Sequence, residues 1–336
     1  MRLKRWSLGA ALGVSQCLLF WAAPVSAQSA GGNYLEDLAN ERIKLEARMR
    51  SLRTTLSMQG DATVQTVERQ VRFEVSELPI PNAWVARDPN TGASTIFMTA
   101  EYRLAITYLA DSDIVSATTA GYFKCNMAYV QRMFDALASN RARSSSGQAP
   151  LRLPSPEVYL SSASSDCRPY QARFPIDPAL RAQRDAQVDM VIALGYLHEL
   201  GHVARGHQPV SLAAIDRLPT NERRLNEFAR LMSRSREQET QADDWASDRF
   251  VDLSSNPMVA LSSVLSAFYL AFGGFDCSFE AADSHPNGYQ RFARQIGRIK
   301  DRATTAGKFP NSAAITQLIE DARSLASKAQ ENLKCR

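Results

Sequence analysis

"YLHELGHVARGH", residues 196–207, holds three of the four histidines in a chain of 336 residues. They stand at His198, His202 and His207, with Glu199 directly after the first. From Pro178 to Gly206 the segment reads as a helix, with Val191, Ile192, Leu194, Leu197, Leu200 and Val203 along it and Gly206 and Pro209 as the stop. Residues four apart on a helix lie about 40° apart around the axis and about 6 Å along it. His198 and His202 therefore point the same way and can share one ion, while Glu199 stays off the ion and beside a bound water. This is the HExxH arrangement of zinc hydrolases, and two neutral imidazoles suit Zn²⁺. Chance core histidines are the competing reading, and scarcity combined with clustering argues against it. His207 falls beyond the Gly206 cap, so it is read as a packing or hydrogen-bonding residue rather than a ligand.

A catalytic zinc takes three protein ligands and keeps one position open. The third is sought in "EQETQADDWASDRF", residues 237–250. Glu239 and Asp243 are four apart and share a helical face. Glu239 can reach the metal, and Asp243 can accept the second ring N–H of a ligand histidine and hold it in place. A solvated acidic face is the bland alternative, weakened by Ala242, Trp245, Ala246 and Phe250, which mark part of this helix as buried. Glu237 is the rival ligand, less favoured because position 241 is Gln rather than Asp.

The bulk of the chain is that of a globular protein, 45% hydrophobic and 22% charged. The net charge of +4 includes Arg2, Lys4 and Arg5 of a leader, whose removal leaves +1 (4 − 3). With no basic patch interleaved with aromatics, nucleic-acid binding is not expected. The leader has a basic start "MRLKR", an apolar stretch "WSLGAALGVSQCLLFWAAP" and small residues "VSA" before Gln28, which predicts cleavage after Ala27 and export across the inner membrane, with a periplasmic location expected and an uncleaved N-terminal anchor as the competing reading. Four cysteines then remain, Cys125, Cys167, Cys277 and Cys335, and an even count in an oxidising compartment predicts two disulfides. Sequence proximity favours Cys125–Cys167 and Cys277–Cys335 among three pairings.

The pattern predicts an α+β, mainly helical chain. A helix over 33–58 carries Leu35, Leu38, Leu45, Met49, Leu52 and Leu56 on one seam, ended by Gly60. Alternation at Val71, Phe73 and Val75, then "NAWVA" and "TIFMT", predicts a small antiparallel sheet. Helices follow over about 100–109 and 121–136. The Ser-, Arg- and Pro-rich run over about 139–166 reads as a loop or insertion. A further helix is expected over 221–250, with a break near "SRSR". The uncharged stretch 257–275 reads as a buried helix rather than a membrane span, and 311–334 as an amphipathic C-terminal helix.

With these motifs in order, the chain resembles the gluzincin zinc metallopeptidases of the HtpX and CAAX prenyl protease type. The resemblance covers residues 81–291. It rests on "HELGHVARGH", on "ETQAD" (Glu239 to Asp243), on "SHPNGYQR" with His285, Pro286 and Arg291, and on "PNAWVARDPNTGASTIFMT" upstream. It departs in the two-cysteine, Ser-rich insertion and in a short interval from His202 to Glu239. The resemblance implies a zincin-like domain over 61–300, with the insertion at about 139–166. Around it lie the signal peptide 1–27, an N-terminal amphipathic helix 28–60 and a C-terminal helix 301–336. It implies one Zn²⁺ per chain on His198, His202 and Glu239, Glu199 as general base, and His285 and Arg291 stabilising the oxyanion or gating the open position. The 94–99 strand is expected at the sheet edge beside the metal helix, where an extended peptide can add as a further strand. The implied activity is that of an exported endopeptidase acting on unfolded or extended polypeptides in envelope quality control. The alternative is a periplasmic chaperone or assembly factor with a latent metal site, and a third reading is a binding module with no metal. Oligomeric state and peripheral membrane association are left open.

Overall fold

The computed structural model describes residues 32–253 except 77, 79, 209 and 211–214, residues 288–308, and residues 316, 317, 320 and 324. The predicted leader, the 257–275 stretch, His285, Cys277, Cys335 and most of the C-terminal helix lie outside the described residues. The elements run α1 (Gly32–Gln59), α2 (Ala62–Gln70), β1 (Val71–Ser76), β2 (Ala83–Arg87), β3 (Ser94–Thr99), α3 (Ala100–Thr118), α4 (Phe123–Ser145), α5 (Pro156–Ser161), α6 (Pro178–Ala204), α7 (Asn221–Leu253) and α8 (Gly288–Thr305). The chain is α+β and mainly helical, as expected. No helix among the described residues is long and apolar enough to cross a membrane.

α3 lies at the centre. Tyr102, Leu104, Ala105, Ile106, Leu109, Ala110, Ile114 and Val115 are all buried, so the helix is covered on most sides, as apolar residues all round a helix require. Its buried Arg103 reaches Glu41 of α1 at 3.0 Å and Asp189 of α6 at 3.6 Å, tying three helices together. Leu45, Met49, Leu52 and Leu56 of α1 enter this same core.

The sheet differs from the expected antiparallel one. Its order is β1-β3-β2, with β2 antiparallel and β1 parallel to β3. The 94–99 strand is therefore the central strand, paired on both sides, and not the edge. Its Ile96 and Met98 are fully buried; the strand richest in core residues takes the middle, and short alternating runs do not say which neighbour each will choose. The edge strand beside α6 is β2, whose Trp84 stacks on Phe97 of β3 at 5.1 Å.

Three helices outrun their sequence signal: α3 runs on past 109 to Thr118, where Ile114 and Val115 are still buried. α4 continues through Ser145 into the Ser-rich run, because Asn140 brackets the backbone of Leu151, accepting from its N–H at 2.6 Å and donating to its C=O at 2.8 Å. α7 passes "SRSR" unbroken. A second, smaller core of Val115, Tyr122, Cys125, Leu160, Cys167, Phe174 and Ile176 sits beside the first, stapled by the Cys125–Cys167 disulfide.

Candidate metal site

α6 begins at the Asp177 cap, whose carboxylate accepts from Ala179 N–H, with Pro178 in its first turn. On one side it is anchored by Tyr196, whose hydroxyl donates to the buried Glu68 of α2 at 2.7 Å. Arg53 of α1 pairs with the same carboxylate and donates to Val71 C=O at 2.7 Å. This network fixes the helix rotation and turns His198 and His202 toward α7. Two glycines set the depth of contact. A Cβ on Gly195 would lie 2.8 Å from the Tyr102 hydroxyl, so only glycine admits that ring from α3. A Cβ on Gly201 would lie 3.1–3.2 Å from the backbone O and Cα of Ala242. Small residues on both helices let α6 and α7 approach closely enough for their side chains to meet.

What meets there is the predicted set. His198 Nε2 lies 3.2 Å from Glu239 Oε2, His202 Nε2 lies 3.5 Å from Glu239 Oε1, and the two Nε2 atoms lie 3.2 Å apart. Zinc bonds of ~2.0–2.1 Å in a tetrahedron give ligand–ligand edges of roughly 3.3 Å, so the three separations fit one ion between them. Among the described residues these three side chains form the group able to hold a metal. Glu199 follows His198 on α6 and is buried. Glu237, the rival ligand, is exposed on α7 and accepts from the amide of Gln241 at 3.1 Å.

Asp243 Oδ1 lies 2.9 Å from His198 Nδ1, and Arg291 of α8 grips the same carboxylate through two bonds, Nε to Oδ2 at 2.6 Å and Nη2 to Oδ1 at 2.8 Å. Arg291 Nη2 also lies 3.4 Å from Glu239 Oε2. The structure thus places Arg291 among the carboxylates behind the histidines. Burial opposes the charge on Asp243, but Arg291 and His198 overcome it and hold the carboxyl at about 2. Without a metal, burial would depress His198, yet its bonds to Asp243 and Glu239 push it up to about 10. His202 goes the other way, down to about 3, through burial and the charge on His198. The Tyr102 ring lies against Gly195, one turn before Glu199 on α6, and its hydroxyl is raised by burial and then by the charge of Glu199.

His207 is turned back against His202, with Nδ1 3.0 Å from Nδ1. Gly195, Gly201, Tyr102 and Gln241 also build the site, and the sequence around each carries no sign of it, since each matters through what crosses it from another element. Comparison of the chain with family models, with curated proteins and with solved structures gives no match.

Proposed function

We propose that this protein is a zinc-dependent endopeptidase of the gluzincin kind, exported by its leader and acting on extended or unfolded polypeptides of the envelope. The observation that carries the reading is the set of 3.2, 3.2 and 3.5 Å separations among His198, His202 and Glu239, with Glu199 next to the first ligand on the same helix. His198, His202 and Glu239 would hold the zinc ion, which when bound would supply Lewis acidity for polarising a carbonyl and for making a water acidic near neutral pH. Glu199 accepts the proton of the attacking water and passes it to the leaving amine nitrogen. Asp243, clamped by Arg291, keeps the His198 ring oriented. Among the described residues β2 is an edge strand beside α6, where an extended peptide can add as a further strand, a recognition that is tolerant of sequence and suits unfolded substrates.

Two measurements test the reading. The purified chain is expected to carry one zinc, lost in His198→Ala. With zinc retained, Glu199→Gln is expected to digest unfolded casein at least ~10²-fold more slowly, the lower end of what a positioned general base contributes. Digestion at the wild-type rate by that variant overturns the hydrolase and favours a chaperone that keeps a metal.

A further inference from the structure

Metal-ligating histidines need their second ring nitrogen engaged, because that bond selects the tautomer. For His198 the partner is Asp243. For His202 it is another histidine, and the reason begins in the backbone. Gly206 adopts φ +64°, and His207 N–H donates to His202 C=O at 3.0 Å, a Schellman closure that folds the chain back over the last turn of α6. The His207 ring then meets the His202 ring edge-on, centroids 5.0 Å apart. Its Nδ1 lies 3.0 Å from His202 Nδ1, and its Nε2 lies 3.0 Å from Gln241 Oε1 on α7. Gln241 Nε2 donates to Glu237 Oε1 at 3.1 Å.

Each link sets the direction of the next. An ionised carboxylate only accepts, so Gln241 turns its NH₂ toward Glu237 and its carbonyl oxygen toward His207. A carbonyl oxygen only accepts, so His207 Nε2 carries the hydrogen. A neutral imidazole has one bare nitrogen, so His207 Nδ1 accepts, and His202 Nδ1 must donate. That leaves His202 Nε2 bare, and this is the nitrogen 3.2 Å from His198 Nε2 and 3.5 Å from Glu239 Oε1. We propose that His207 and Gln241 are positioning residues that lock His202 in the tautomer whose Nε2 lone pair faces the metal; the inference rests on the metal-site reading above. The helix end itself is closed by the backbone bonds at Gly206 and His207, so the His207 ring is not required for capping. The two ligand histidines thus have unlike supports, one through an ion pair and one through a neutral chain that ends on the exposed Glu237.

Zinc affinity of the whole chain, read by competition with a chromogenic chelator, tests this with three variants. Gln241→Glu keeps an acceptor toward His207 and is expected to bind zinc within about threefold of wild type. Gln241→Lys offers only donors and reverses the chain, so affinity is expected to fall about 10–100-fold, the usual loss when an outer partner of a metal ligand is removed. His207→Phe keeps the ring and removes both nitrogens, with the same expected loss. Should that variant not fold by its thermal melt, Gln241→Lys decides, since Gln241 is only half-buried on the face of α7. Wild-type affinity in Gln241→Lys, or an equal loss in Gln241→Glu and Gln241→Lys, overturns the polarity argument while the metal site stands. A wild-type chain that takes up no zinc removes the metal site and this inference together.

Discussion

Arg291 and Arg302 stand three turns apart on α8, and each faces an aspartate of α7. The Arg291–Asp243 pair is sealed, with side chains 5% and 3% exposed, while the Arg302–Asp252 pair is 43% exposed on both sides. Between them Arg294 faces Asp244 and Arg298 faces Asp248, so three pairs keep a constant sequence offset of 50 along the interface. The same two residue types do different things at the two ends. In water the pair gains little, because each partner was already solvated. Inside, neither partner can be left alone, so each makes the other obligatory. The exposed pairs set the register of α8, and the sealed pair is where that register reaches the metal site.

The largest effect is expected from breaking the sealed end. Arg291→Met leaves Asp243 buried beside His198 without its guanidinium, and is expected to destabilise the fold by about 3–5 kcal/mol in urea unfolding. Zinc affinity is expected to fall as well, by about 10–100-fold, because His198 loses its fixed acceptor. Adding Asp243→Leu removes the stranded charge. The double variant is expected to recover most of the stability and none of the zinc affinity, since an apolar pair replaces an ion pair at little loss but cannot orient an imidazole. A single variant within about 1 kcal/mol of wild type would show that water reaches Asp243 after all.

A second buried aspartate sharpens the contrast. Among the described residues no arginine pairs with Asp113 of α3; it accepts from Asn126 at 3.0 Å, and burial, only partly offset by that bond and one from Gln187, pushes its carboxyl up to about 6. Asp243 sits at about 2. The two therefore act on stability with opposite signs. Asp243 is favoured ionised in the fold, so its contribution is present above the unfolded value near 3.8 and is lost as pH falls through about 2. Asp113 is favoured neutral, so its contribution is present below 3.8 and is lost as pH rises through about 6. The gap for Asp113 corresponds to roughly 3 kcal/mol at full effect. Asp113→Asn is expected to flatten the fall in urea midpoint between pH 4 and pH 6.5 that the wild type shows, and an unchanged slope would assign that fall to other groups.

How much of this could be read beforehand follows from what each residue depends on. His198, His202, Glu239 and Asp243 were legible because their geometry is a property of one helix at a time, and i,i+4 spacing is visible in the letters. The α7 stripe Asp244, Asp248, Asp252 and the α8 stripe Arg294, Arg298, Arg302 are equally periodic. Their pairing requires knowing that the two helices lie side by side, which no spacing within either reveals. The sheet order was hidden for the same reason, since Val71, Phe73 and Val75 alternate alike whether β1 runs with β3 or against it. Gly201 reads as an ordinary helical glycine until Ala242 arrives 3.1 Å from where its Cβ would be. The Ser-rich run is loop over 146–155, as its composition implies, but α4 extends into its start, where Asn140 bonds the backbone of Leu151, and α5 forms within it behind the Ser155 cap.

The smallest effect is expected at the exposed end of the ladder. Replacing Arg294, Arg298 and Arg302 together by Gln removes three solvent-facing pairs, each contributing about 0.2–1 kcal/mol at low salt. Their sum is expected to lower Tm by a few degrees, at about 2–4 °C per kcal/mol for a chain of this size class. The informative variable is salt. At 1 M the screening length is about 3 Å, so surface pairs lose their attraction while the sealed Arg291–Asp243 pair keeps its own. The triple variant and the wild type are therefore expected to converge in 1 M NaCl, and Arg291→Met is expected to stay as far below wild type as at low salt. A triple variant that remains less stable at high salt would locate its loss in the arginine stems, which cover apolar surface whatever the salt, and the exposed half of the interface would then be held by packing rather than by charge.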